Sequence, residues 1–245
     1  MLLHRLGDQR TLGIVTKDVN LPIILLLVVF LVGCSTPFYT WDANTTSTAR
    51  PPSFDIGVLS NQPVATIGLI APGGLLGYSA SLSHALVDAL AGASPPIRGI
   101  PAHEIVNALN DLGLATEYAD LLLGFERAGI MERERLQRIG SALGFRYLLV
   151  PGMTEFSHAI VDRFEFSGIK IVRTRITVMR LWLQLWDTET GHILWESAGE
   201  IATTSDVLKQ DRIVPVVEFA ELLWSRMIQQ DLLGGGTGSR FSFGK

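Results

Sequence analysis

The 245 residues predict a mixed α/β (α+β) fold: one mixed sheet, containing an antiparallel three-strand meander, flanked by helices. Three observations carry that expectation. The short β-branched run Val64–Ala71 (VATIGLIA) precedes Leu82, Leu86 and Leu90, spaced four apart on one helical stripe. A strand–helix start of this kind implies a parallel crossover. Further on, three strand-like segments follow one another, which implies an antiparallel half. Within the middle segment, Leu181, Leu183 and Leu185 alternate with Trp182, Gln184 and Trp186. Both sides thus carry large apolar groups, as a central strand covered on two faces requires.

The elements follow in order. A Pro-Gly-Gly loop ends the first strand, and the first helix spans Ser79–Leu90. Residues 93–101 predict a loop with a short strand at Ile97–Ile100, followed by helices Ala102–Leu112 and Glu117–Ala128. Helix Glu132–Leu143 turns Leu136, Ile139 and Leu143 inward and stops at Gly144. Arg146–Phe156 is expected as a strand, broken or bulged at Pro151-Gly152. Strands Ile169–Asp187 and His192–Thr203 are expected to pair through DTETG, where Asp187 opens a turn and Gly191 takes positive φ. A last helix near Val214–Leu233 has Pro215 at its start, where a missing N–H costs nothing.

The amino terminus predicts an address. Met1–Asn20 sets His4, Arg5, Arg10 and Lys17 against Asp8 and Asp18. The next 13 residues, LPIILLLVVFLVG, carry no charge. A helical span needs roughly 20 apolar residues, whereas the apolar part of a secretory signal has about 7–15. Directly behind stands Cys34, the one cysteine of the chain, so no internal disulfide forms. Leu31-Val32-Gly33-Cys34 resembles the lipobox of bacterial lipoprotein signals. That resemblance implies that the Cys34 sulfur receives a diacylglyceryl group, that the leader is cut before it and that the new amine is acylated. Cysteine suits the role because its thiolate is a strong nucleophile. Ser35 in the next position implies, by the same resemblance, outer-membrane rather than inner-membrane residence.

The expected organisation is therefore a signal peptide at 1–33, the lipidated Cys34 and a flexible tether at 34–62, one α/β periplasmic domain at 63–233, and a disordered tail at 234–245. Phe38, Tyr39 and Trp41 within the tether suit either the membrane interface or the domain surface.

ERLQRIGSALGFRYLLVPGMTEF and VMRLWLQLWDTETGHILWESAGE resemble a pattern of periplasmic lipoproteins: a helix ending in Leu-Gly, a strand, then a Trp-Asp…Thr-Gly…Trp-Glu hairpin. The group includes the curli-secretion lipoprotein CsgG, the TolB N-terminal domain and the penicillin-binding-protein activator LpoB. The resemblance spans Val64 to Thr204 and rests on structural motifs. With no catalytic motif in the chain, the expectation is a non-enzymatic scaffold or binding domain for envelope proteins. An alternative is a subunit of an oligomeric secretion assembly. Phe156–Arg175 offers one charged hairpin, too little for a membrane barrel.

No motif predicts catalysis or a cofactor. HEIVN at His103 lacks the second histidine of a zinc helix, GYSAS lacks the last glycine of a nucleophile elbow, and PGGLLG misses the phosphate-loop spacing. His84, His158 and His192 fall on separate elements, and Asp187 and Glu196 suit a turn and a strand edge. A net charge of −4 without a basic block excludes nucleic acid as the expected partner. Trp182, Trp186 and Trp195 carry two readings: core beneath helices, or an aromatic patch for a partner or glycan strand. Trp186 and Trp195 are expected on one face of the hairpin.

Overall fold

The computed structural model describes residues 40–166, 169–206, 215–234 and 240–244, with side chains described outside 40–41, 162–173, 205–206 and 240–244. The elements are β1 (Thr40–Ser47), β2 (Val64–Thr66), α1 (Ser79–Ala91), β3 (Gly99–Ile100), α2 (Ala102–Asp111), α3 (Ala115–Ala128), α4 (Arg133–Leu143), β4 (Tyr147–Phe166), β5 (Ile169–Asp187), β6 (His192–Asp206), α5 (Val216–Arg226) and β7 (Arg240–Gly244). The strands form one open mixed sheet in the order β3-β2-β4-β5-β6-β1-β7. β2 runs parallel to β3 and β4, and every other pairing is antiparallel.

Alternation along β4 and β5 decides where the helices lie. Tyr147, Leu149, Leu181, Leu183 and Leu185 enter one core with the Leu82/Leu86/Leu90 stripe of α1 and with Phe219, Leu223 and Trp224 of α5. Leu148, Val150 and Trp186 enter a second core on the other face, beneath α2, α3 and α4. Leu82, Leu86, Leu183 and Leu185 are each wholly buried. Each such side chain contributes about 1.5–3 kcal/mol by leaving water.

Small residues set the closest approaches. An alanine Cβ at Gly199 of β6 would lie 2.8 Å from Met227 Cε and 2.9 Å from Leu223 Cδ1, so glycine there lets α5 reach the sheet. At Gly140 of α4 the same atom would meet Thr188 Oγ1 at 2.5 Å. That hydroxyl donates to the Phe145 carbonyl at 3.1 Å and ties the helix to the β5–β6 hairpin. After α5 the chain widens into a π-helical turn, Met227–Leu233. Its buried Asp231 accepts a hydrogen bond from Ser197 Oγ at 2.9 Å. Nearby, burial pushes the Arg226 guanidinium below its ordinary value, while Asp231 and Asp42 pull the other way.

Several expectations change. The tether does not extend through Thr40–Ser47: this segment is β1, paired along its length with β6. Its sequence, TWDANTTS, has little apolar pattern, and the free edge of β6 supplies the partner that orders it. Among its described side chains Ala43, opposite Ile201, is the buried apolar one. Likewise Arg240–Gly244, expected in a disordered tail, pairs with β1. β4 continues beyond Phe156 to Phe166 because β5 offers a ladder partner throughout. Pro151 and Gly152 stay in register with Leu183 and Trp182, and the irregularity falls at Met153/Glu155 instead. The first strand is assigned only over Val64–Thr66, although the chain stays beside β4 through Ile67 N–H to Leu149 O (3.2 Å) and Ile70 N–H to Pro151 O (3.0 Å).

Gly152 has a steric reason to be glycine. The Trp182 indole lies across it, and an added Cβ would stand 1.8 Å from Trp182 Cε2. Gly152→Ala is expected to destabilise the protein by about 1–3 kcal/mol through this overpacking. Urea denaturation measures it; an unchanged midpoint contradicts the packing.

Candidate functional site

The helical layers do not cover both faces equally. On the face that carries Trp182, α2, α3 and α4 sit over the β2–β4 end of the sheet. Toward β6 and β1, Arg180, Ala198, Thr46 and Asp42 are exposed, and among the described residues no helix covers them. At its centre Arg180 Nη1 meets Glu155 Oε2 at 2.5 Å and its Nε meets Glu200 Oε2 at 2.6 Å, across three adjacent strands. Hydrogen bonding to Glu200 raises the Arg180 pKa further above its ordinary value, so the guanidinium is permanently charged. A shallow groove of about 320 Å³ runs here between Arg180, Trp182, Thr46 and Glu200. Trp182 closes one end, half-buried and 6.1 Å from the Phe125 ring. The result is a flat, charged and partly aromatic surface, suited to contact with a macromolecule more than to enclosing a small substrate.

A second concavity, about 710 Å³, lies between α1, α2 and α3. Leu76, Val106 and Leu122 line it, Tyr118 stands in its wall, and His84 and His103 meet at its rim with ring centres 5.9 Å apart. Burial raises the Tyr118 phenol to about 12, against the opposing effect of a backbone hydrogen bond with Gly68.

The residues singled out in the sequence fall as follows. Cys34 lies outside the described residues, as do the apolar run before it, Phe38 and Tyr39. Trp186 is 4% and Trp195 1% exposed, so each is core in this chain. They do not share a face. A register shift between Leu185 and Trp186 pairs Leu185 with Trp195 and sends Trp195 into the α1–α5 core, while Trp186 packs on Phe125 under α3. Only Trp182 borders the open surface. Asp187 accepts from the Glu189 amide at 2.9 Å and from Arg146 at 3.0 Å, and Gly191 has φ +72°, as the DTETG turn requires. Glu196 lies on β6, between β5 and β1, and accepts from the Gln184 side chain of β5, so it is not an edge residue and does not pair with Asp187. Arg135 and Arg138 reach from α4 to Asp120 and Glu117 of α3, linking the two helices. His158 is bonded to Thr177 Oγ1 at 2.9 Å. The meeting of His84 with His103 was not visible in the sequence, since 18 residues and two helix axes separate them.

No family model matches this sequence, and no curated protein matches it. Among solved structures it is similar to PelC from Paraburkholderia phytofirmans, a dodecamer (14% identity, 76% of this chain and 95% of that one, TM-score 0.42). It is also similar to lipoprotein GNA1162 from Neisseria meningitidis (11% identity, 71% and 99%, TM-score 0.40) and to the LpoB C-terminal domain from Salmonella enterica (17% identity, 59% and 84%, TM-score 0.34). With each score below 0.5, these likenesses assign no activity and no partner.

Two measurements check this geometry. With Trp186, Trp195 and Trp224 buried among five tryptophans, emission is expected to be blue-shifted and largely protected from iodide; a red-shifted, fully quenched spectrum contradicts it. The Tyr118 phenol ionises near 10 when unfolded and near 12 when folded, so its contribution is complete below pH 10 and drains away as pH rises to 12. After discounting for solvent reaching the ring, that loss is about 1–2 kcal/mol. Tyr118→Phe is expected to flatten stability between pH 10 and 12; an identical alkaline slope in both proteins would show that Tyr118 is not the group responsible.

Proposed function

We propose that the chain is a lipid-anchored lipoprotein of the bacterial envelope, held at the outer membrane, whose α/β domain faces the periplasm and binds envelope proteins without catalysing a reaction. One observation carries this reading: Leu31-Val32-Gly33-Cys34 stands directly behind 13 uncharged residues, and Cys34 is the chain's only cysteine. A single acyl chain holds a protein at a bilayer only marginally, whereas two or more anchor it stably, at about 0.8 kcal/mol per buried methylene. No helix among the described residues is long and apolar enough to cross a membrane.

The fold adds a distance. Because β1 begins at Thr40, five residues, Ser35 to Tyr39, separate Cys34 from the sheet rather than a full tether. Fully extended, the six steps from Cys34 to Thr40 span at most about 20–22 Å. The domain therefore works close to the lipid surface, and the open Arg180–Trp182 surface is the part of it that offers a partner both charge and aromatic contact.

Expression of the full chain in a Gram-negative host tests the anchor. Cys34→Ser is expected to leave an uncleaved precursor with Met1–Gly33 attached, while the wild type yields a mature amino terminus carrying diacylglycerol and an amide-linked acyl chain. Equal processing and equal membrane fractionation of the two proteins would contradict the reading.

A further inference from the structure

At the rim of the α1–α2–α3 groove two histidine rings lie close together. His84 projects from the middle of α1 and His103 from the first turn of α2, and both are exposed. Their rings are 5.9 Å apart, centre to centre, and inclined at 45°. Two imidazoles that share one zinc or copper ion, each with its nitrogen about 2.0–2.1 Å from the metal, hold their ring centres roughly 5–6.5 Å apart. The observed separation falls inside that window.

Their bonding state agrees. Among the described residues, neither imidazole has a hydrogen-bond partner in the protein, whereas His158 is held by Thr177. Each neutral ring therefore keeps a lone pair available to a cation. Both side chains sit on regular helices whose inner faces are fixed in the two cores: Leu82, Ala85 and Leu86 of α1, and Ala102, Ile105 and Leu109 of α2, are buried. That anchoring limits the freedom the rings lose when they chelate an ion.

We infer that His84 and His103 together bind one divalent transition-metal cation, Cu2+, Ni2+ or Zn2+, with water completing the coordination. No group of three or more His, Cys, Asp or Glu side chains converges among the described residues, so the protein supplies two ligands and leaves open positions. Imidazole nitrogen favours these ions over Ca2+ and Mg2+, which take oxygen ligands, and the affinity order places Cu2+ ahead of Ni2+ and Zn2+. A bound ion joins α1 to α2 across the mouth of the groove that holds Tyr118. Because the unfolded chain has no such preformed pair, binding raises the melting temperature.

The test is titration of the purified full-length protein in detergent with CuCl2, ZnCl2 and CaCl2, followed by calorimetry and thermal melting. One Cu2+ or Zn2+ per chain is expected, with a rise in melting temperature and no effect of Ca2+. Removing one of two direct ligands costs more than the roughly tenfold that loss of a supporting outer-shell group costs. His84→Ala and His103→Ala are therefore each expected to weaken binding by well over tenfold. Both positions are exposed, so their melting temperatures without metal should match the wild type; His158→Ala and His192→Ala should bind as the wild type does. The copper electron-paramagnetic spectrum should show two coupled imidazole nitrogens. Absence of binding to the wild type, unchanged binding in the double variant, or dependence on only one of the two histidines overturns the inference.

Discussion

Burial of β5 on both faces is the constraint from which the rest of the architecture follows. A strand with leucine at 181, 183 and 185 and tryptophan at 182 and 186 cannot lie on a surface without exposing one of two large apolar rows. Two separate helical layers satisfy it. α1 and α5 close over the leucine face, and α2 to α4 close over Trp186 and the inner part of Trp182. The glycines at 140, 152 and 199 are where these layers and the tryptophan approach the backbone too closely for any Cβ.

The same constraint explains why one surface stays open. Beyond Trp182 the even-numbered side of β5 loses its large aromatics, with the exposed Arg180 in place of another tryptophan and the half-buried Val178 and Ile176 after it. Helices are no longer needed there, and the three-strand Glu155–Arg180–Glu200 cluster takes their place. Solvent screens exposed pairs of this kind, so the cluster shapes charge on the surface more than it stabilises the sheet. Fold and proposed role meet at this boundary between the covered and the uncovered half of one strand.

Much of this was legible in the chain. The leucine–tryptophan alternation, the Asp187–Gly191 turn and the Gly144 stop each rest on local chemistry, and each appears as expected. What was missed depends on partners distant in sequence. TWDANTTS has no strand signature of its own and is ordered by β6, more than 150 residues away. The face of Trp195 could not be counted from the turn, because the register shift after Leu185 reverses the parity that simple alternation assumes. The His84–His103 approach depends on how two helices pack, which no spacing within either helix encodes. Nor could the open surface be located before the helical layers were known, since Arg180 and Glu200 look like ordinary charged strand residues.

Amide hydrogen exchange tests the two-sided burial of β5 most directly. The amides of Leu148–Val150 and Leu183–Leu185 lie between both helical layers and should exchange only through global unfolding, slowest in the protein. Those of Ser157–Val161, paired in the same hairpin but exposed, should exchange orders of magnitude faster through local opening. Equal protection along the whole β4–β5 ladder, or faster exchange at Leu183–Leu185 than at Ser157–Val161, would contradict the account.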